Sequence, residues 1–329
     1  MPKPYVYVTR QFADSGIKAL KAKGYKVDVF SEDKVVPRKT LLQKVKGADA
    51  LLSLLTDKID DEVLEAAGDK LKIVANYAVG FDNIDLAAAK KRGIPVTNTP
   101  SDKVNEAVAE HTFALMIALA RRIAEADAFA KAKKYTGWSP NLLTGTDLYG
   151  KTLGIIGAGR IGLAVARRAV HGFGMKLVYS DMRQNVDAER EFKAQYMSKD
   201  KVLQTADFVS LHVPLLPSTR HMISTAEFAM MKKTAFLVNT ARGPVVDEKA
   251  LLRALKTKRI AGAALDVFEC EPAIDCDLTD NLELRSFPNV ILTPHIASAT
   301  VEAREAMSLV AAENIIAVLD GKLPINPAK

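Results

Sequence analysis

Short apolar runs alternate with segments whose apolar positions recur at three- and four-residue spacing, from the first residues almost to the last. The runs at 5–9, 25–30, 50–55 and 71–75 predict strands, and the segments at 15–23, 40–45, 60–67 and 86–91 predict helices. Gly93, Pro95 and Pro100 punctuate the end of this set. The pattern over 102–134 is helical, with Asp102 or Asn105 as N-cap, and a loop with Gly137, Trp138, Pro140 and Gly145 runs on to Gly150. Beyond it, strands are predicted at 208–213, 234–240, 260–267 and 290–293 and a helix at 247–255. A last helix over about 300–320 stops before Gly321 and Pro324. Strand–helix alternation of this kind implies an α/β fold, with parallel sheets covered by helices on both faces.

The most informative stretch is 151–181. Residues 151–157 form an apolar run suited to a strand buried on both faces. Gly157-Ala158-Gly159-Arg160-Ile161-Gly162 follows, helical periodicity continues to Val170, and a second β-rich run leads to Asp181. Strand, glycine turn, helix, strand and terminal acid together make the dinucleotide fingerprint. Gly157 permits the tight turn, Gly159 lets the backbone approach a pyrophosphate, and Gly162 lets helix pack on strand. The helix N-terminus offers free N–H groups to the anion. Asp181 is placed to accept hydrogen bonds from ribose hydroxyls and to repel a 2′-phosphate, which favours NAD. Arg183 could swing toward such a phosphate and leaves some NADP tolerance open.

At 329 residues the chain has room for two domains. No apolar run is long enough to span a bilayer, so no membrane is expected. The most hydrophobic helix, 107–120, is interrupted by Glu110 and His111. The net charge of +7 is scattered along the chain without an aromatic-interleaved basic stripe, so nucleic acid is not an expected partner. Two cysteines, Cys270 and Cys276, make neither a disulfide framework nor a zinc set, and no metal is expected. They read as cytosolic thiols, with Cys270 beside Glu271 a candidate for oxidation, and the chain as cytoplasmic.

Ligands of open parallel sheets bind beyond the carboxyl ends of the strands. Three polar residues sit there in the fingerprint half: Arg242, Glu271 and His295. A hydride reaching a carbonyl carbon leaves charge on oxygen, and an acid must supply a proton there. Histidine suits that role, a carboxylate behind it favours its protonated form, and a guanidinium can clamp a substrate carboxylate. His295 is therefore the candidate acid/base, Glu271 its partner and Arg242 the substrate clamp. The other histidines, His111, His171, His212 and His221, read as structural.

The segments Thr240-Ala241-Arg242-Gly243, Leu265-Asp266-Val267-Phe268-Glu269-Cys270-Glu271-Pro272 and Thr293-Pro294-His295-Ile296-Ala297-Ser298-Ala299-Thr300 resemble the three signatures of the D-isomer-specific 2-hydroxyacid dehydrogenases. Within that family the chain looks most similar to glyoxylate/hydroxypyruvate reductases and D-lactate dehydrogenases. The resemblance extends to 76–84 and 107–112. It implies a Rossmann NAD-binding domain (101–298) inserted into a flavodoxin-like substrate domain (1–100 and 299–329), and a homodimer built through roughly 101–150. It also implies that the Val79 and Gly80 N–H groups, with Arg242 and His295, hold the substrate. Val213, Pro214, Thr240, Ala241, Asp266 and Ala297 would border the nicotinamide half or the ribose. The family's usual glycine after His-Ile is Ala297 here, a small change. An aromatic that several glyoxylate reductases carry is Leu142, which would make the pocket less aromatic. Phosphite-oxidising relatives have lysine where Val79 stands, which argues against that substrate.

The expected activity is NAD(H)-dependent reduction of glyoxylate, hydroxypyruvate or pyruvate to the D-2-hydroxy acid. An NAD-sensing regulator without turnover fits the same fold, but it has no need of an intact Arg–Glu–His set. A 3-phosphoglycerate dehydrogenase would need a basic cluster for the phosphate, and none is dedicated to it in the sequence.

Overall fold

A computed structural model describes residues 3–271 and 283–328. The chain divides into two compact units, Met1–Val104 with Ala299–Lys329, and Asn105–Ser298.

The first unit runs β1 (Tyr5–Val8), α1 (Asp14–Ala22), β2 (Lys26–Val29), α2 (Arg38–Lys44), β3 (Ala50–Leu54), α3 (Asp61–Ala67), β4 (Ile73–Tyr77), α4 (Leu86–Lys91) and β5 (Val96–Thr97). Its strands form one parallel sheet in the order β2-β1-β3-β4-β5, the flavodoxin-like arrangement. The caps are legible in the sequence: Asp60 accepts from Val63 N at 3.3 Å and Asp85 from Ala88 N at 2.9 Å. Leu51, Ile59, Val63, Leu64 and Val74 pack together in the core on one side. The final helix, Val301–Leu319, lies against α1. Gly16 makes this possible, because a Cβ there would sit 2.1 Å from Ser308 O. The Ser308 hydroxyl accepts from Gly16 N at 2.9 Å and donates to Ala13 O at 2.6 Å.

The second unit holds most of α5 (Asp102–Ala120), then α6 (Ile123–Lys131), β6 (Thr152–Ile156), α7 (Arg160–Arg167), β7 (Lys176–Ser180), α8 (Val186–Phe192), β8 (Gln195–Tyr196), α9 (Lys199–Thr205) and β9 (Phe208–Leu211). It continues through α10 (Thr225–Met230), β10 (Phe236–Asn239), α11 (Glu248–Lys256), β11 (Gly262–Leu265) and β12 (Val290–Leu292). The parallel sheet has the order β12-β11-β10-β9-β6-β7-β8. This is the Rossmann order with one added strand, and it reverses direction between β6 and β9. Leu153 and Ile155 face Met116, Val165 and Phe208 on one side, while Ile156 joins Val209, Leu237 and Leu251 on the other. Gly154 lets α9 settle on β6, since a Cβ there would be 2.7 Å from both Val202 Cγ1 and Ala206 Cβ.

The helical pattern over 102–134 forms two helices rather than one. Arg122 turns left-handed (φ 54), and the Ala120 carbonyl accepts from Thr146 N at 2.8 Å. Among the described residues no helix is long and apolar enough to cross a membrane.

Candidate active site

The glycine turn lies at the switch point of the second sheet. Gly157 has φ +98 and touches the next strand so closely that a Cβ would be 2.6 Å from His212 O. Gly162 closes on the turn, where a Cβ would lie 2.2 Å from Gly157 O. Gly159 differs: it caps α7 in an extended conformation, and a Cβ there would meet no atom within 4 Å. That open approach, beside exposed Arg160, half-buried Ile161 and the first N–H groups of α7, fits a pyrophosphate. Asp181, just past β7, accepts from Ala158 N at 2.7 Å and from Met182 N at 2.6 Å. Its carboxylate is thus fixed against the turn while each oxygen keeps a further lone pair. The residues present therefore fit a dinucleotide.

His212 lies just beyond β9, not within a strand as its sequence suggested. Its N–H donates to Ile156 O at 2.8 Å and its Nε2 lies 2.8 Å from Ser210 Oγ. Burial pushes the imidazole down to about 3, so it stays neutral beneath the glycine turn. Val213 and exposed Pro214 follow it.

Three neighbouring strands, β10, β11 and β12, carry the candidate trio beyond their carboxyl ends. Thr240, nearly buried, shares a 2.9 Å hydrogen bond with Thr112, and Ala241 N donates to Asn239 Oδ1 at 3.0 Å. The Asn239 amide also donates to Arg242 O at 2.9 Å, so one side chain shapes the loop that presents Arg242. Arg242 Nη1 donates to Ala241 O at 2.8 Å. Glu271 closes a turn in which its N–H donates to Phe268 O at 3.2 Å. His295 Nδ1 lies 2.5 Å from Glu271 Oε2, with about a quarter of each side chain exposed (27% and 23%). His295 and Glu271 therefore meet, and Arg242 stands at the end of the strand beyond Glu271's. The engagement of Nδ1 leaves Nε2 as the ring nitrogen available for proton exchange. His295 also has φ +53, uncommon for a residue with a Cβ, and its N–H is held by Asp266 O at 2.8 Å.

Asp266 organises this end of the sheet. It is fully buried, and its carboxylate accepts from Thr293 Oγ1 (2.6 Å), Ile296 N (2.9 Å) and Ala297 N (2.8 Å). Burial pushes its carboxyl up, yet the bonds from His111, Thr293 and the two backbone N–H groups prevail and hold it below the usual carboxylate range. His111 Nε2 lies 3.3 Å from Asp266 and 3.0 Å from Thr293 Oγ1. A histidine that reads as mid-helix filler thus belongs to the site's framework. In the first unit, Asn98 and Asn76 donate to the carbonyls of Val79 (2.6 Å) and Gly80 (2.9 Å). This leaves both N–H groups without a partner among the described residues.

Cys270 is disulfide-bonded, not the free thiol expected, and Cys276 lies outside the described residues. Among the described residues no group of three or more His, Cys, Asp or Glu could hold a metal ion.

A Rossmann sheet with this glycine turn, and an imidazole–carboxylate pair at its strand ends, defines an NAD(P)-linked oxidoreductase. Residues 113–297 match the model of the D-isomer specific 2-hydroxyacid dehydrogenase, NAD binding domain. The chain is 50% identical over 328 residues to a glyoxylate reductase of Thermococcus litoralis, covering 98% of this chain and 96% of that one. A crystal structure of a protein from Thermus thermophilus superposes with TM-score 0.90 at 42% identity, covering 99% of this chain and all of the other. A D-lactate dehydrogenase from Aquifex aeolicus, complexed with NAD and lactic acid, matches with TM-score 0.84 at 32% identity over 96% of each chain. The chain belongs to the D-isomer-specific 2-hydroxyacid dehydrogenase family.

Proposed function

We propose that the protein reduces a short 2-keto acid to its D-2-hydroxy acid with NADH, with glyoxylate or hydroxypyruvate as leading substrates and pyruvate close behind. The observation that carries this reading is the 2.5 Å contact between His295 and Glu271 at adjacent strand ends of a dinucleotide-binding sheet. The glyoxylate reductase at 50% identity supports the choice of substrate, and the lactate dehydrogenase neighbour keeps pyruvate in play.

When bound, the dinucleotide supplies the hydride. Gly157–Gly162 would hold its pyrophosphate, and Asp181 its adenosine ribose. Val213, Pro214, Thr240, Ala241, Asp266 and Ala297 would border the nicotinamide end. His295 Nε2 gives a proton to the substrate oxygen while Glu271 holds the Nδ1 side of the ring. Arg242 grips the substrate carboxylate and polarises the neighbouring carbonyl. The N–H groups of Val79 and Gly80 offer further donors to a carboxylate. The second unit is thereby the dinucleotide domain and the first the substrate domain. NAD is favoured over NADP because Asp181 would face a 2′-phosphate.

Tyr135 (59% exposed), Trp138 (83%) and Tyr149 (80%) leave apolar surface open around 101–150, which supports a homodimer through that region. The cytoplasm is the proposed location. Purified protein tested for NADH and NADPH oxidation with glyoxylate, hydroxypyruvate, pyruvate and phenylpyruvate checks the reading. Turnover of the smaller acids with preference for NADH is expected, and dinucleotide binding with no turnover of any of them refutes it.

A further inference from the structure

Among the described residues, one backbone bond crosses the turn that presents Glu271, the 3.2 Å link from Glu271 N to Phe268 O. Its second residue, Glu269, is held from three directions. Glu269 Oε1 pairs with His221 Nε2, Glu269 N donates to Glu248 Oε1 at 2.6 Å, and Glu248 N at the start of α11 donates to Glu269 Oε2 at 3.3 Å. Arg220 stands 4.0 Å away, and Asp247 caps the same helix. On its other side His221 donates its backbone N–H to Pro244 O at 2.7 Å, from a left-handed conformation (φ 50). Pro244 follows Arg242 by two residues, and Gly243 between them lies flat against the Phe268–Glu269 peptide.

We propose that His221 and Glu269 form a positioning clamp, fastening the turn that carries Glu271 to the loop that carries Arg242. The proposal rests on the function proposed above for those two residues. A His–Glu contact with 38% and 25% of its side chains exposed contributes little to stability. What it supplies is geometry, because it adds to the Glu248–Glu269 bonds a side-chain link between segments 48 residues apart, from His221 to Glu269. His221 touches neither substrate nor dinucleotide in this arrangement and acts through the two residues it holds.

The test compares wild type, His221→Ala, His221→Gln and Glu269→Gln. Steady-state glyoxylate reduction across pH is measured together with amide exchange over residues 266–271. In His221→Ala, kcat is expected to fall about tenfold and KM for glyoxylate to rise, with NADH binding unchanged. The pH profile of kcat/KM is expected to change, because the contact between Glu271 and His295 loosens, and exchange over the turn to rise. His221→Gln keeps a donor toward Glu269 and restores most of each value, whereas Glu269→Gln reproduces part of the loss. Unchanged exchange overturns the clamp, as does raised exchange with wild-type kcat, KM and pH profile. Arg242→Ala and His295→Ala run alongside. If they keep full turnover the proposed function falls, whereas the exchange data still report on the clamp; if they lose turnover and His221→Ala does not, only the clamp falls.

Discussion

Replacing Gly243 by alanine places a methyl carbon 1.7 Å from Phe268 O, 1.9 Å from its carbonyl carbon and 2.5 Å from Glu269 N. The obstacles are backbone atoms, so no side chain can rotate away. Widening the first contact from 1.7 to 3.0 Å, the tightest tolerable approach, requires an opening of about 1.3 Å. The peptide that must move belongs to the turn presenting Glu271, whose contact with His295 is 2.5 Å. A shift of that size carries the contact beyond hydrogen-bonding range, since useful bonds end near about 3.2 Å. Overpacking a filled site costs about 1–3 kcal/mol, and for a unit of this size each kcal/mol lowers Tm by about 2–4 °C. A displacement of about 1 Å at a reacting group can cost about a hundredfold in rate. The variant is therefore expected to melt several degrees lower and to lose about two orders of magnitude in kcat for glyoxylate. NADH affinity should hold within about twofold, because the Gly157–Gly162 turn is untouched. Scanning calorimetry, NADH oxidation and fluorescence titration read the three quantities. Wild-type kcat and Tm together would refute the close packing of Gly243 on this turn.

Gly159→Ala makes the opposite prediction: its methyl meets no protein atom, so Tm should hold while dinucleotide affinity drops, as a titration will show. His295→Ala should depress kcat by about three orders of magnitude or more with NADH binding nearly intact, and Arg242→Ala should raise KM and lower kcat together in steady-state assays. Asp57 is buried, and burial raises its carboxyl above the usual range although Thr9 Oγ1 (2.5 Å) and Leu54 N (2.8 Å) donate to it. The folded state thus binds this proton more readily than the unfolded one, and ionisation costs stability as pH rises above the unfolded value. Asp57→Asn keeps an acceptor without the charge. It should raise Tm at pH 7 and lose that advantage near pH 3, and a lower Tm at pH 7 would sink the argument.

Much of this molecule is readable from residue order because its long-range contacts follow from local rules. The 151–181 stretch announces strand, turn and helix through glycine spacing, and Arg242, Glu271 and His295 stand out because each follows an apolar run. Other features leave no such trace. The break at Arg122 comes in an alanine-rich run with neither glycine nor proline, and it depends on the distant Thr146 taking the Ala120 carbonyl. The two-residue strand Gln195–Tyr196 and the short helices Val186–Phe192, Lys199–Thr205 and Thr225–Met230 are too brief to show a period. His111 and His221 acquire their partners only when segments far apart in the chain are brought together, which no periodicity reports.

The seating of Gly16 on Ser308 joins residues 292 positions apart, with the entire second unit strung between them. On a ribosome β1 and α1 emerge before the whole of the second unit, and the helix that shields α1 emerges only after it. The smaller sheet therefore keeps an uncovered side until every strand of the larger one has been made. Chains released early, short of residue 301, would carry a finished dinucleotide fold attached to an unfinished companion and would be natural targets for quality control.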